Sequence, residues 1–143
     1  MDPLSIIASV VGITTAAVKV SGAITNILRT SRHAPQSIRD IQTEVDTIRI
    51  TLEQLQAFIL RRSAAHQSRA SWILVEQIIV VLANSVLTFS ELDVFVGSLK
   101  SDLTLGVWDR VRWSTKASTA DELVNRLQRH KLSLIMMLTI FES

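Results

Sequence analysis

The first 28 residues, MDPLSIIASVVGITTAAVKVSGAITNIL (1–28), decide the fold class and most of the functional argument. After Asp2 they contain a single charged side chain, that of Lys19. Their large apolar residues recur at spacings of three and four, the period of one helical face. Asp2 suits an N-cap and Pro3 suits the first position of a helix. The stretch therefore predicts a long helix with the stripe Ile6, Val10, Ile13, Ala17, Val20, Ile24 and Ile27, and with a second face that is small and weakly polar.

This opening helix has three interpretations: a cleaved leader, a membrane span or the first helix of a soluble bundle. A basic region does not precede its apolar run and it contains no Arg, so neither a secretory nor a mitochondrial leader is predicted. Residues 4–28 would extend roughly 37 Å as a helix, enough to cross hydrocarbon. Ala8, Gly12 and Ala16 are spaced four apart, which permits close helix packing in lipid or a tight helix crossing in a soluble core.

A second amphipathic helix follows Pro35. Its apolar stripe is Ile38, Ile41, Val45, Ile48, Leu52, Leu55 and Ile59. Its charged residues are predicted to form an ordinary solvated surface: Arg39, Asp40, Glu44, Asp46, Arg49 and Glu53. The segment RRSAAHQSR (61–69) reads as a polar turn.

The third element, from about Ala70 to Lys100, is apolar on nearly every face over residues 72–89. A helix of this kind is a central core helix or a membrane span. Glu76 and the polar pair Asn84 and Ser85 favour the core interpretation. Residues 98–118 then form a connection with one short helix, Leu105–Trp113. A capping box at Thr119–Glu122 predicts the start of the last helix.

These elements predict an all-α fold, an antiparallel helical bundle of four long helices plus a short connector helix. The turns between consecutive long helices are short, which favours antiparallel neighbours. At 143 residues the chain fits a single domain, 1–143.

Composition argues against several classes of function. The net charge of +2 is too small to indicate nucleic acid, and the absence of Cys excludes disulfides and thiolate chemistry. His33, His66 and His130 show no metal-ligand spacing, the acidic residues are dispersed, and no Gly-rich phosphate loop occurs. We therefore expect no enzyme activity, no catalytic residue, no metal, no cofactor and no small-molecule substrate.

Basic residues cluster beside two tryptophans near residue 110. Arg110, Arg112 and Lys116 accompany Trp108 and Trp113. One interpretation is a Trp pair that plugs one end of the bundle, with solvated basic neighbours. The other is a set of interfacial Trp and cationic side chains that meet anionic lipid headgroups.

Two motifs resemble those of a known family. The start MDPLSIIASVVGITTAAVKVSGAI (1–24) resembles the N-terminus of fungal HeLo-like domains, which open many NOD-like (STAND) receptors. The tail VWDRVRWSTKASTADELVNRLQRHKLSLIMML (107–138) resembles the same family. Its matching positions are Trp113, Lys116, Leu123, Arg126, Leu127, His130, Lys131, Ser133, Leu134 and Leu138.

The resemblance implies a helical bundle distantly similar to the HET-S HeLo domain and to the MLKL four-helix bundle. It implies a cell-death effector in fungal innate immunity and heterokaryon incompatibility. Such a domain would be cytoplasmic at rest and the N-terminal part of a longer receptor. It would form a homo-dimer or higher oligomer and disturb anionic lipid at the plasma membrane.

The membrane-active element implied by this resemblance is the N-terminal helix. Its expected residues are Ile6, Ile7, Val10, Val11, Gly12, Ile13, Val18 and Gly22. The expected headgroup contacts are Lys19, Arg110, Arg112 and Lys116. The alternative is a non-lytic interaction or dimerisation module, which docks through the first helix or the apolar end of the last.

Overall fold

The chain forms four long helices in a computed structural model that describes residues 3–31, 34–62, 69–104 and 110–142, with side chains over 5–31, 34–61, 76–101 and 113–140. The helices are α1 (Pro3–Thr30), α2 (Gln36–Arg62), α3 (Arg69–Thr104) and α4 (Arg110–Glu142). Within these ranges there is no strand. The all-α class is therefore confirmed.

The predicted apolar stripe of α1 is the part of the helix that enters the core. All seven stripe residues, from Ile6 to Ile27, are at most 2 % exposed. Pro3 is the first helical residue, as predicted, while Asp2 lies outside the described residues. At the other end, the Ser31 amide donates to the Ile27 carbonyl oxygen at 3.0 Å, which completes the last turn.

The second helix follows its pattern with one exception. Its stripe is fully buried from Ile38 to Leu55, and Ile59 packs partly buried against the core. The prediction that Glu44 belongs to a solvated surface is wrong. Glu44 is 7 % exposed, and its Oε2 lies 2.8 Å from the Lys131 ammonium on α4. The pattern of α2 shows only that position 44 is charged. The residue that pairs with it, Lys131, is on α4 and is not visible in that pattern.

The four helices pack as a ring around one core. α1 packs against α2 and α3, and α4 packs against the same two helices. Across the ring, α1 with α4 and α2 with α3 make no comparable helix contact among the described residues. Each helix therefore has two neighbours and one outward face.

This arrangement overturns the interpretation of α3 as a central core helix. Its inner face is buried through residues such as Ile78, Leu82 and Leu92. Its outer face stays exposed, with Val80, Leu87 and Val94 at 60 %, 63 % and 74 %. No helix is surrounded in a ring of four, so a helix that is apolar all round leaves one apolar face in solvent.

The last helix begins earlier than the capping box indicated. The short connector helix predicted at 105–113 is not seen: residues 110–113 are the first turn of α4, and 105–109 lie outside the described residues. Trp113 is 2 % exposed and stands two helical turns before buried Ala120. The buried stripe of α4 thus starts at Trp113, and the Thr119–Glu122 segment lies inside the helix. Its remaining members are Ala120, Leu123, Leu127, Leu134 and Leu138.

Candidate functional site

The side of α1 that faces away from the core is small and weakly polar, and it carries few charges. Val11 and Val18 are 46 % and 57 % exposed there. Its charged residues are Lys19, near the middle of the helix, and Arg29, in the last turn. We call this side the outer face of α1, made of Ala8, Val11, Gly12, Thr15, Val18, Lys19, Gly22 and Asn26, all of which are exposed.

The residues predicted to be membrane-active are divided between the two faces of α1. Ile6, Val10 and Ile13 are buried in the core. Ile7 is half-buried, and the other four lie on the outer face: Val11, Gly12, Val18 and Gly22. The buried members reach a membrane only if α1 leaves its neighbours.

The small-residue stripe does not form a helix crossing in this fold. A Cβ atom added to Gly12 would meet no heavy atom of a neighbouring element within 4 Å, and the same is true of Gly22. Ala8 is exposed and Ala16 is half-buried. The alternative in which Gly12 permits a tight crossing inside the soluble core is therefore wrong. Gly12 instead borders an open groove between α1 and α3.

The threonines of α1 bond to their own helix. Thr14 and Thr15 donate to the carbonyl oxygens of Val10 and Val11 at 2.8 and 2.9 Å. Thr25 and Thr30 make the same contact with the carbonyl four residues earlier. A hydroxyl satisfied by its own backbone does not require water. These side chains would carry a paired hydroxyl into an apolar medium.

Polar side chains of α2 and α3 contact α1, and one of α4 contacts the residue directly after it. Gln42 of α2 donates through Nε2 to Thr25 Oγ1 at 2.6 Å and to the Ser21 carbonyl oxygen at 3.0 Å. On α3, Asp93 Oδ1 lies 3.8 Å from Lys19 Nζ. On α4, Trp113 Nε1 donates to Ser31 Oγ, just beyond the end of α1, at 3.0 Å.

The predicted headgroup contacts are only partly described. Lys19 is exposed, and Lys116 is half-buried. The side chains of Arg110 and Arg112 lie outside the described part of the chain, as does Trp108. Trp113 is buried and hydrogen-bonded to Ser31, so in this fold it plugs the bundle and does not present an interfacial indole.

Two adjacent helices are long and apolar enough to cross a membrane. The segments are Ser5–Thr30 of α1 and Glu76–Ser101 of α3, with mean hydropathies of 1.7 and 1.8. The core helix of a soluble protein can have the same length and composition. An apolar stretch of 18 residues within each segment is 28 % buried in α1 and 39 % buried in α3. A groove of about 360 Å³ separates them, lined on α1 by Ser9, Gly12 and Ala16 and on α3 by Phe89 and Ser90.

Sequence reasoning did not identify Gln42 and Glu44 as tertiary contacts. Both lie on the polar side of an amphipathic helix, where the pattern predicts solvent exposure. Their partners are 17 to 87 positions away: Thr25 for Gln42 and Lys131 for Glu44. A pattern confined to one helix contains no signal for such pairs.

Comparison with known proteins found no similar protein. No family model matches the chain, and neither a curated protein nor a solved structure matches it.

Proposed function

We propose that this chain is a membrane-targeting cell-death effector domain that oligomerises and disturbs the plasma membrane through α1. The observation that carries the proposal is the outer face of α1. It is small, weakly polar and exposed, and it lies opposite an apolar stripe that fills the core. α1 therefore packs in the bundle through its apolar stripe, and its composition would also suit a lipid bilayer.

Few groups of α1 oppose its insertion into lipid. The span Ser5–Thr30 contains two charged residues, Lys19 and Arg29. A Lys or Arg at the bilayer centre costs about 2.5–3.5 kcal/mol on translocon scales, and this cost falls on Lys19, because Arg29 is in the last turn, where a long basic side chain can reach the interface. The hydroxyls of Thr14, Thr15, Thr25 and Thr30 stay bonded to their own backbone. Transfer of Val11 and Val18 from water into lipid would be favourable and would offset part of this cost, because both side chains are exposed to water in the bundle.

The order of contacts supports an antiparallel arrangement of consecutive helices. Thr88 of α3 bonds to His130 of α4, whereas Glu91, one turn later on α3, pairs with Arg126, one turn earlier on α4. The end of α1 meets the start of α4 through Ser31 and Trp113. We include this topology in the proposal.

Oligomerisation is proposed to use the stripe of Ala8, Gly12 and Ala16. Small residues let helix backbones approach closely in lipid. In the monomer the space beside Gly12 is open, so the stripe is available to a second copy once α1 is released. The trigger would come from the rest of a receptor or from a partner, and the domain would be cytoplasmic until then.

Substitution of Gly12 tests the proposal. Gly12→Glu places a carboxylate on the outer face without a clash, so the fold should persist while dye leakage from anionic vesicles and toxicity in a fungal cell are lost. Gly12→Ala is the matched control: it should retain leakage and gain about 0.5–1 kcal/mol of stability. Equal leakage by Gly12→Glu and the native chain, with both folded, would refute the role of α1.

Deletion of residues 1–20 is a poorer test than a point substitution. It would remove Ile6, Val10 and Ile13 from the core along with the outer face. Loss of leakage would then follow from unfolding.

A second candidate function is a non-lytic interaction or dimerisation module. It is favoured by the exposed apolar residues near the end of α4: Leu132, Ile135, Met136 and Ile140 are 61 %, 40 %, 63 % and 45 % exposed. Exposed patches of this kind mark protein interaction sites. Partner binding without leakage at any lipid composition would select this function.

A further inference from the structure

A polar cleft lies between α3 and α4, away from the outer face of α1. Its volume is about 370 Å³, and it opens to solvent. Its polar lining comes from both helices: Asn84, Thr88, Arg126, Arg129, His130 and Ser133. None of these six residues is acidic, and two are arginines.

One side of the cleft is a fixed hydrogen-bond network. Arg126 forms an ion pair with Glu91 and donates through Nη2 to Thr88 Oγ1 at 3.1 Å. The Thr88 hydroxyl lies 2.7 Å from His130 Nε2 and 3.1 Å from the Asn84 carbonyl oxygen. Thr88 is 1 % exposed, so it anchors both side chains at the floor of the cleft.

The other side of the cleft carries side-chain donors, of which Asn84 and Arg129 are exposed and Ser133 is half-buried. The side chains of Asn84, Arg129 and Ser133 have no hydrogen-bond or ion-pair partner among the described residues, yet all three line the cleft. Arg126 keeps one charge partner, Glu91, whereas Arg129 keeps none. The cleft therefore has an excess of positive charge and of donors, which is the complement of an anion rich in acceptor oxygens.

We propose that this cleft binds a phosphate monoester, with Arg129 and Arg126 as charged donors and Ser133, Asn84 and His130 as further donors. A phosphate monoester offers three strong acceptor oxygens and close to two negative charges near neutral pH. Arginine is suited to it because its guanidinium presents several N–H groups in one plane. The ester can belong to a soluble metabolite or to a lipid headgroup.

The state of His130 supports this assignment. Burial, reinforced by Arg126 and then Arg129, lowers the pKa of His130 below 6.5. From α3 it faces Thr88 and Asn84, with Glu91 beyond Arg126; on the α2 side, Glu44 pairs with Lys131. A dianion in the cleft would offset the two arginines and raise the pKa of His130. Thr88 accommodates a protonated ring, because it can accept from Nε2 while it donates to Asn84.

A nuclear magnetic resonance titration of the whole domain tests the site without a membrane. Glycerol 3-phosphate should shift the His130 ring signals and raise the pKa of His130. Arg129→Gln should weaken binding about tenfold, the worth of one charge-assisted contact. Arg39→Gln removes an exposed arginine of α2 and should leave binding unchanged. The proposal would be overturned if glycerol 3-phosphate did not shift the His130 ring signals, or if Arg129→Gln and Arg39→Gln weakened its binding equally.

Vesicles distinguish the two sources of the phosphate. Vesicles of phosphatidylcholine with phosphatidic acid carry the monoester on a lipid, and a domain that reads a headgroup should bind them less when it carries Arg129→Gln. If glycerol 3-phosphate binds and these vesicles do not, the ligand is a soluble phosphate. Gly12→Glu should bind glycerol 3-phosphate like the native chain, so failure of α1 to insert and failure of the cleft are separate results.

Discussion

Gln42 Nε2 lies 2.6 Å from Thr25 Oγ1, and this contact joins α2 to α1 outside the apolar stripe. The same amide donates to the Ser21 carbonyl oxygen at 3.0 Å. Lys19 of α1 also pairs with Asp93 of α3, and Trp113 of α4 donates to Ser31 directly after α1. Such contacts oppose the release of α1, and weakening one of them should shift the balance toward the released state.

Gln42→Ala should loosen α1 selectively. Removal of a hydrogen bond of this kind costs about 1 kcal/mol. We expect faster amide exchange in α1 than in α4 and leakage of anionic vesicles at lower protein concentration. Gln36→Ala is the control, because Gln36 makes its bond to Asp40 within α2. Equal effects of the two variants on α1 exchange and leakage would contradict a specific role for the Gln42 contact.

The buried ion pair between α2 and α4 should matter more for stability than its exposed counterpart. Lys131 and Glu44 side chains are 24 % and 10 % exposed, whereas those of Arg49 and Glu53 are 31 % and 50 % exposed. Glu44→Gln leaves Lys131 without its charge partner, and urea unfolding should show a loss of about 1–3 kcal/mol. Glu53→Gln should change stability by less than about 0.5 kcal/mol. Comparable losses would mean that the Glu44 pair is solvated in solution.

The free energy of unfolding should decrease as the pH is lowered, and part of this decrease should depend on His130. The folded state has a lowered pKa for this ring, first through burial and then through Arg126 and Arg129. As pH drops below the unfolded value of 6.5, the unfolded chain takes up the proton first. The stability due to neutral His130 is therefore present above that value and is lost as pH falls through the folded pKa.

Comparison with His130→Gln isolates this contribution. The amide can still bond to Thr88 but does not titrate, so the native chain should lose more stability than the variant between about pH 7.5 and pH 5.5. Urea midpoints at the two pH values measure the difference. Identical losses would show that His130 titrates normally in the folded state.

The parts of the fold that the sequence predicts are those governed by one helix at a time. The stripes of α1 and α2 follow the helical period, and their residues are buried as expected. The capping pattern at Thr119–Glu122 predicts too late a start for α4, because this segment lies inside the helix. Trp113 indicates the earlier start better, because it lies seven residues before Ala120 and fourteen before Leu127, on the same buried face.

Features that depend on how helices meet could not be predicted. The exposure of Val94 and Leu87 follows from the ring arrangement, and a helix that is apolar all round does not encode which face turns outward. The cleft joins Thr88 to His130, which are 42 positions apart in the chain. For the outer face of α1, in contrast, the helical period of one helix is enough to place Gly12, Thr15 and Lys19 opposite the buried stripe. The expectation that Val11, Gly12 and Val18 are membrane-active came from the family resemblance.

The central claim is that α1 leaves the bundle to act, and a cross-link tests it most directly. The chain contains no Cys, so a Lys19→Cys/Asp93→Cys pair can join α1 to α3 through a cleavable bismaleimide. Glu91→Cys/Arg126→Cys joins α3 to α4 as the control, and its leakage is compared before and after linking because Arg126 also lines the cleft between these helices. We predict that the α1–α3 link abolishes leakage of anionic vesicles until it is cleaved, while the α3–α4 link leaves α1 free to act. Undiminished leakage with α1 tethered to α3 would contradict the account.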